Sequence, residues 1–219
     1  VDVEPDMMKG KIAFEGEDHV SDRRIYSAAC ERNREALLDV LRRVFPHEGR
    51  VIEIAAGTGM HALHFSRNLP DLQWVPTDPD SEARESIEAW RQDAGLANLQ
   101  PAQELDTRDE PWGVGEADAI LCSNMIHIAP WESCIGLFRG ADRILRDGGV
   151  VVTYGPYRFP GREPVPSNEN FDVSLRFRNP EWGVRSIDDV SKVARDWGFS
   201  RLETVPMPAN NHSVVWRRS

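Results

Sequence analysis

Four positions in the first 130 residues set a carboxylate or an amide in or just after a short apolar run. Glu53 interrupts Val51-Ile-Glu-Ile54, Asp78 follows Leu72-Gln-Trp-Val75, Asp106 follows a weaker run ending at Leu105, and Asn124 follows Ala117 to Ser123. Side chains of these types accept hydrogen bonds from hydroxyls and amines, so their chemistry is recognition of a polar ligand. Between the first two lies Ala55-Ala-Gly-Thr-Gly59. Gly57 and Gly59 there let the backbone approach a ligand closely. The string Gly57-x-Gly59-x-x-Ala62 also fits a dinucleotide fingerprint. Charge separates the two readings: a pyrophosphate sits poorly beside Glu53, whereas ammonium and sulfonium groups are attracted to it. Asp78 and Asp80 suit the hydroxyls of a ribose, which both ligand classes carry. Asp106 can accept from an adenine amine, and Asn124 offers amide groups near the ligand.

The elements that must position these residues follow from periodicity. Leu37, Val40, Leu41 and Val44 repeat at helical spacing before Pro46. A strand over 50–54, a helix to about Asn68, a strand at 72–75 and a helix ended by Gly95 follow. A weak strand over 100–105 and a buried one over 117–123 come next. Trp131, Cys134, Leu137, Phe138, Ala141, Ile144 and Leu145 mark an amphipathic helix. A strand over 150–154 leads into a Pro-rich stretch, Gly155 to about Trp182, which reads as irregular. Ser186 with Asp189 makes a capping-box-like start for a last helix. Two strands, near 201–206 and 212–217, close the chain. Strands alternating with helices predict a doubly wound α/β domain over 21–219, with an antiparallel hairpin at one edge. Residues 1–20 read as an N-terminal arm, or a lid that orders over substrate. In such a sheet ligands bind outside the carboxyl ends of the strands, where the acidic positions fall.

The chain has 219 residues, 40% of them hydrophobic, and a formal net charge of −10. That acidity disfavours nucleic acid and anionic membrane as partners. No apolar run approaches the ~20 residues of a membrane span. Cys30, Cys122 and Cys134 have no CxxC spacing, and the expected compartment is a reducing cytoplasm.

Val51-Ile-Glu-Ile-Ala-Ala-Gly-Thr-Gly59, then Asp78, Asp106 and Cys122-Ser-Asn-Met-Ile-His127, resemble the ordered motifs of class I S-adenosylmethionine-dependent methyltransferases. More narrowly, Tyr26 to Trp216 resembles the methyltransferase-like protein 26 family, also called domain of unknown function 938. The segments carrying that likeness are Ala28-Ala-Cys-Glu-Arg-Asn33, Thr77-Asp-Pro-Asp80, Asn124-Met-Ile-His-Ile-Ala-Pro-Trp131, Gly155-Pro-Tyr157, Pro166-Ser-Asn168 and Pro208-Ala-Asn-Asn211. The resemblance implies a mostly parallel seven-stranded sheet and S-adenosyl-L-methionine as cofactor. It places Glu53, Ala55 and Gly57 along the methionine part, with Gly59 also in the cofactor-binding loop. It puts Asp78 on the ribose, Asp106 on the adenine amine, and Asn124 with Met125 beside the sulfonium. Ala55 departs from the superfamily, which usually has a glycine there.

Methyl transfer displaces a neutral thioether, so the leaving group needs no proton and positioning can supply much of the catalysis. His127 is the foremost candidate for a base, against a structural or pocket-wall role. Tyr157 can orient an acceptor or simply pack. Asn168 and Phe171, in the irregular stretch, and Asn210, at the hairpin, are candidates for holding a small-molecule acceptor. Arg32 is a candidate for the cofactor carboxylate. His61 and His64 form an HxxH with no third ligand nearby, so no metal site is expected. The alternatives are an oxidoreductase with a nucleotide cofactor such as NAD, and a cofactor-binding pseudoenzyme serving as an interaction module.

Overall fold

In a computed structural model, residues 22–218 are described; the arm expected over 1–20 lies outside them. In chain order the elements are α1 (Ala28–Val44), β1 (Gly49–Ile54), α2 (Met60–Asn68), β2 (Leu72–Pro76), α3 (Ser81–Ala94), β3 (Ala117–Ser123), α4 (Trp131–Ile144), β4 (Leu145–Gly155), β5 (Tyr157–Arg158), α5 (Pro166–Arg178), β6 (Arg185–Ser186), α6 (Ile187–Asp196), β7 (Phe199–Met207) and β8 (Asn211–Arg218). A single 3-10 turn, Met125–His127, lies between β3 and α4.

The central strands are apolar on both faces because both faces are covered. Val51, Ala119, Leu121 and Val152 pack with Leu37 and Leu41 of α1 and Phe65 of α2. Ile52, Ile120, Cys122 and Val151 pack on the other side with Leu137 and Phe138 of α4 and Val190 of α6. The order is β2-β1-β3-β4-β8-β7, six strands. The first four are parallel, and β8 is antiparallel to both β4 and β7. The expected edge hairpin is present.

The seventh strand is not. Its segment touches β2 only through bridges at Trp74–Leu99 and Thr77–Gln103. Pro76 brings no backbone N–H to that edge, so between the bonds that Gln100 N and Gln103 N donate to Trp74 O and Pro76 O none returns from residue 76, and the ladder breaks. The stretch after β4 also departs from expectation, since α5 spans thirteen residues of it. Its buried positions are Asn168, Asp172 and Leu175. They have helical spacing, but two are polar, which hides the apolar periodicity that would reveal the helix. No helix among the described residues is long and apolar enough to cross a membrane.

Candidate functional site

The chain leaves β1 for β2 on one side and returns to β3 on the other. The strand order therefore reverses between β1 and β3, and a crevice opens beyond their carboxyl ends. The turn out of β1 is built from positive-φ residues: Ala55 at 52°, Gly57 at 57° and Gly59 at 83°. Gly59 is also required by crowding, because a Cβ there would lie 2.8 Å from the Ile87 Cα of α3. Asn124, at the end of β3, is likewise left-handed, with φ 63°.

Beside this turn lies a cleft of about 700 Å³, whose walls include Ala55, Asp78, Asp106, Met125 and Trp182. Asp78 is pinned by two backbone amides, accepting from Gly57 N at 2.9 Å and from Asp80 N at 3.0 Å. Burial pushes its carboxyl up; those two hydrogen bonds oppose the shift. A carboxylate has about four lone-pair sites, so acceptor capacity remains after two amides are served. Asp80 caps α3, its side chain accepting from Glu82 N. Asp106 is held by Arg108, with Arg108 Nε donating to Oδ1 at 3.0 Å. The Arg108 side-chain bond keeps it below the usual carboxylate range. The loop bearing Asp106 lies close against α4 because residue 136 is glycine: a Cβ there would fall 2.1 Å from Thr107 O.

Glu53 is not among the residues lining this cleft. It is buried, and its carboxyl accepts from Trp74 Nε1 at 2.7 Å. Burial pushes it up to about 8, with Trp74 pulling down and Asp78 pushing up. Its type and position alone predict an anion at residue 53; burial instead holds the Glu53 carboxyl mostly protonated near neutral pH. Burial pushes up both the Cys30 thiol of α1 and the Tyr154 hydroxyl of β4. Arg32 is exposed on α1.

His127 does not have the geometry of a base. It is fully buried; its Nδ1 accepts from Arg185 N at 3.3 Å, and its backbone carbonyl accepts from Gly183 N at 2.9 Å. With Nδ1 occupied as an acceptor, the proton belongs on Nε2, which has no partner among the described residues. Burial first, and Arg185 second, push its pKa down to about 3. His127 moors the chain around 183–185. Tyr157 does not present its hydroxyl to an acceptor. The hydroxyl donates to Thr153 Oγ1 at 2.8 Å, inside the core, where Trp216 Nε1 donates to the same oxygen at 3.0 Å. Burial drives its pKa strongly upward.

A second cavity of about 490 Å³ stands past the end of β4, walled in part by Phe159, Asn168, Asn210 and His212. Asn168 Nδ2 donates to Asn210 O at 3.1 Å, and Asn210 Nδ2 to Ser167 Oγ at 3.1 Å, so α5 is tied to the hairpin. Phe171 is half-buried on α5 and does not line the cavity. His212 packs against Phe159, and its Nδ1 is buried without a partner among the described residues. His61 and His64 are spent separately: His61 Nε2 pairs with Asn33 Oδ1 at 2.7 Å, and His64 lies 3.4 Å from Glu35. Sequence reasoning did not single out Arg108, Trp182 or His212. The one available signal was a lone Trp after Asn179-Pro180, a turn former, in a polar stretch.

The family described as "Protein of unknown function (DUF938)" matches residues 24–218. Solved structures share the fold. An O-methyltransferase family protein from Burkholderia thailandensis superposes with TM-score 0.73 at 16% identity, over 84% of this chain and 56% of that one. CalO1, a methyltransferase of calicheamicin biosynthesis in its SAH-bound form, gives 0.69 at 19% identity, over 85% and 54%. An O-methyltransferase family 2 protein from Planctomyces limnophilus, in complex with apigenin, gives 0.70 at 16% identity, over 85% and 62%. The chain thus spans little more than half the length of these proteins.

Proposed function

This chain belongs to the DUF938 family, and from that premise we propose that it is an S-adenosylmethionine-dependent methyltransferase acting on a small molecule in the cytoplasm. The narrower kinship with methyltransferase-like protein 26 is part of the same reading. The observation that carries it is Asp78: a carboxylate fixed by the Gly57 and Asp80 amides, at the cleft wall and on the same cavity as Asp106. That arrangement suits a ribose and an adenine amine at once. The SAH-bound state of CalO1 supports the choice of cofactor.

Asp78 would hold the ribose hydroxyls, Asp106 the exocyclic amine, and Met125 a wall near the sulfur. Glu53 and Arg32 would receive the ammonium and carboxylate of the methionine part. When bound, the cofactor supplies an electrophilic methyl carbon on a cationic sulfur. The chain's own contribution is to orient the two partners and exclude water, through the Gly57 turn, the left-handed Asn124 and the excursion between β4 and β6. The second cavity, with Asn168 and Asn210 in its wall, would receive the acceptor. Its ~490 Å³ falls in the range of small-molecule sites.

The test is transfer of label from methyl-labelled S-adenosylmethionine into a cell metabolite extract. A labelled small product that disappears with Asp78→Ala supports the reading. Cofactor binding without transfer to any extract would leave the pseudoenzyme alternative standing instead.

A further inference from the structure

The excursion between β4 and β6 walls the second cavity with its outgoing arm, and its returning arm reaches the first cleft. Asn179-Pro180-Glu181-Trp182 is a tight turn: Trp182 N donates to Asn179 O at 3.0 Å, and Glu181 N to Asn179 Oδ1 at 2.9 Å. The residues that follow are fixed one by one. Gly183 N donates to His127 O at 2.9 Å, and Val184 N to the buried Asp172 carboxylate at 2.7 Å. The Arg185 guanidinium donates to Ile126 O at 3.2 Å and to Ala129 O at 2.9 Å. The indole of Trp182 is therefore carried on backbone held at both ends, and it lines the cleft together with Asp106, Thr107 and Arg108.

Its surroundings are electrostatically arranged. The Arg178 guanidinium sits 5.6 Å from the indole centroid. Glu181, beside Trp182, lines the same cleft as Arg108, which in turn holds Asp106. A planar π surface in the same cavity as a carboxylate able to take an amine is a recognition pair for a purine. The ring stacks on the indole and the exocyclic amine meets the acid. We propose that Trp182 is the outer wall of the purine subsite, stacking on the adenine of the cofactor whose amine Asp106 receives. This rests on the methyl-donor reading above. It assigns cofactor binding to a segment that also shapes the second cavity.

Calorimetric titration with S-adenosylhomocysteine tests it, on the unaltered chain and on the Trp182→Phe and Trp182→Ala variants. Base–aromatic stacking predicts a loss of roughly 10- to 100-fold for Trp182→Ala and a much smaller loss for Trp182→Phe. Indole emission should change on titration in the unaltered chain, and that change should shrink in Trp182→Phe. This second readout holds even if the alanine variant folds poorly. Affinity within about twofold for a folded Trp182→Ala, or an emission change undiminished in Trp182→Phe, overturns the proposal. Failure of the unaltered chain to bind S-adenosylhomocysteine overturns the functional reading and this wall with it. Binding that ignores Trp182 overturns the wall alone.

Discussion

Lowering the pH from 8 to 6 should weaken S-adenosylhomocysteine binding, and Glu53 supplies the size of the effect. Burial lifts this carboxyl to about 8 in the ligand-free protein. An ammonium group brought to it favours the ionised form, so binding at lower pH must first expel a proton. The corresponding penalty is a factor of about 2 at pH 8 and about 100 at pH 6, hence roughly 50-fold between them. Near pH 7 about 0.9 proton should leave per ligand bound, which calorimetry in two buffers of different ionisation enthalpy detects. Glu53→Gln keeps an acceptor for the Trp74 indole and removes the titration, so its affinity should be lower at pH 8 and nearly flat with pH. Any titration of the ligand itself survives in that variant and is thereby separated. The ligand-free protein gives a second readout. A carboxyl raised on folding contributes stability that is full below its unfolded pKa near 4 and is lost as pH rises through about 8. Glu53→Gln should therefore melt above the unaltered chain at pH 9, and the gap should narrow toward pH 6. Affinity independent of pH with no proton release, or a slope that persists in Glu53→Gln, would refute the reasoning.

Replacing Asp78 by Ala should weaken S-adenosylhomocysteine binding by ~1–3 kcal/mol and also lower stability, because the Gly57 and Asp80 amides lose their acceptor; unchanged calorimetric affinity removes Asp78 from the site. Gly136→Ala drives a methyl into Thr107 O and displaces the Asp106 loop, so it should weaken binding and destabilise by ~1–3 kcal/mol in denaturant unfolding. Ala55→Gly releases a left-handed alanine and should raise stability by up to about 1 kcal/mol; a fall in melting temperature would contradict that. The imidazole of His127 should stay neutral with its proton on Nε2 from pH 5 to 8 in nitrogen-15 NMR, and titration near 6.5 would restore it as a candidate base.

Most of the scaffold is legible because its signals are local. The α3 stop at Gly95, the α1 periodicity and the apolar strands each depend on a few neighbouring residues. The edge segment at 99–103 fails as a strand for an equally local reason, the missing N–H of Pro76, whose weight shows only once that segment is set beside β2. The α5 helix is hidden because Asp172 on its buried face answers Arg158, Arg176 and the Val184 amide, partners scattered over a long stretch of chain. The placement of Asp78 and Asp106 on the cleft wall is legible from strand ends, since topology alone puts strand ends at the crevice. The state of Glu53 is not. Its charge depends on burial under α1 and on the Trp74 indole, neither of which spacing reveals. His127 meets the same limit: a histidine after a strand leaves base and structural roles open, because spacing says nothing about which main-chain amide occupies its ring nitrogen.

For methyl transfer from S-adenosylmethionine, the cleft beyond β1 and β3 must accept an adenosyl methionine-type ligand and not a dinucleotide. Parallel calorimetric titrations of the ligand-free protein with S-adenosylhomocysteine and with NAD decide this. Saturable binding of the first, abolished or much reduced in Asp78→Ala, with none of the second, is the predicted result. Binding of NAD with no detectable binding of S-adenosylhomocysteine would contradict it.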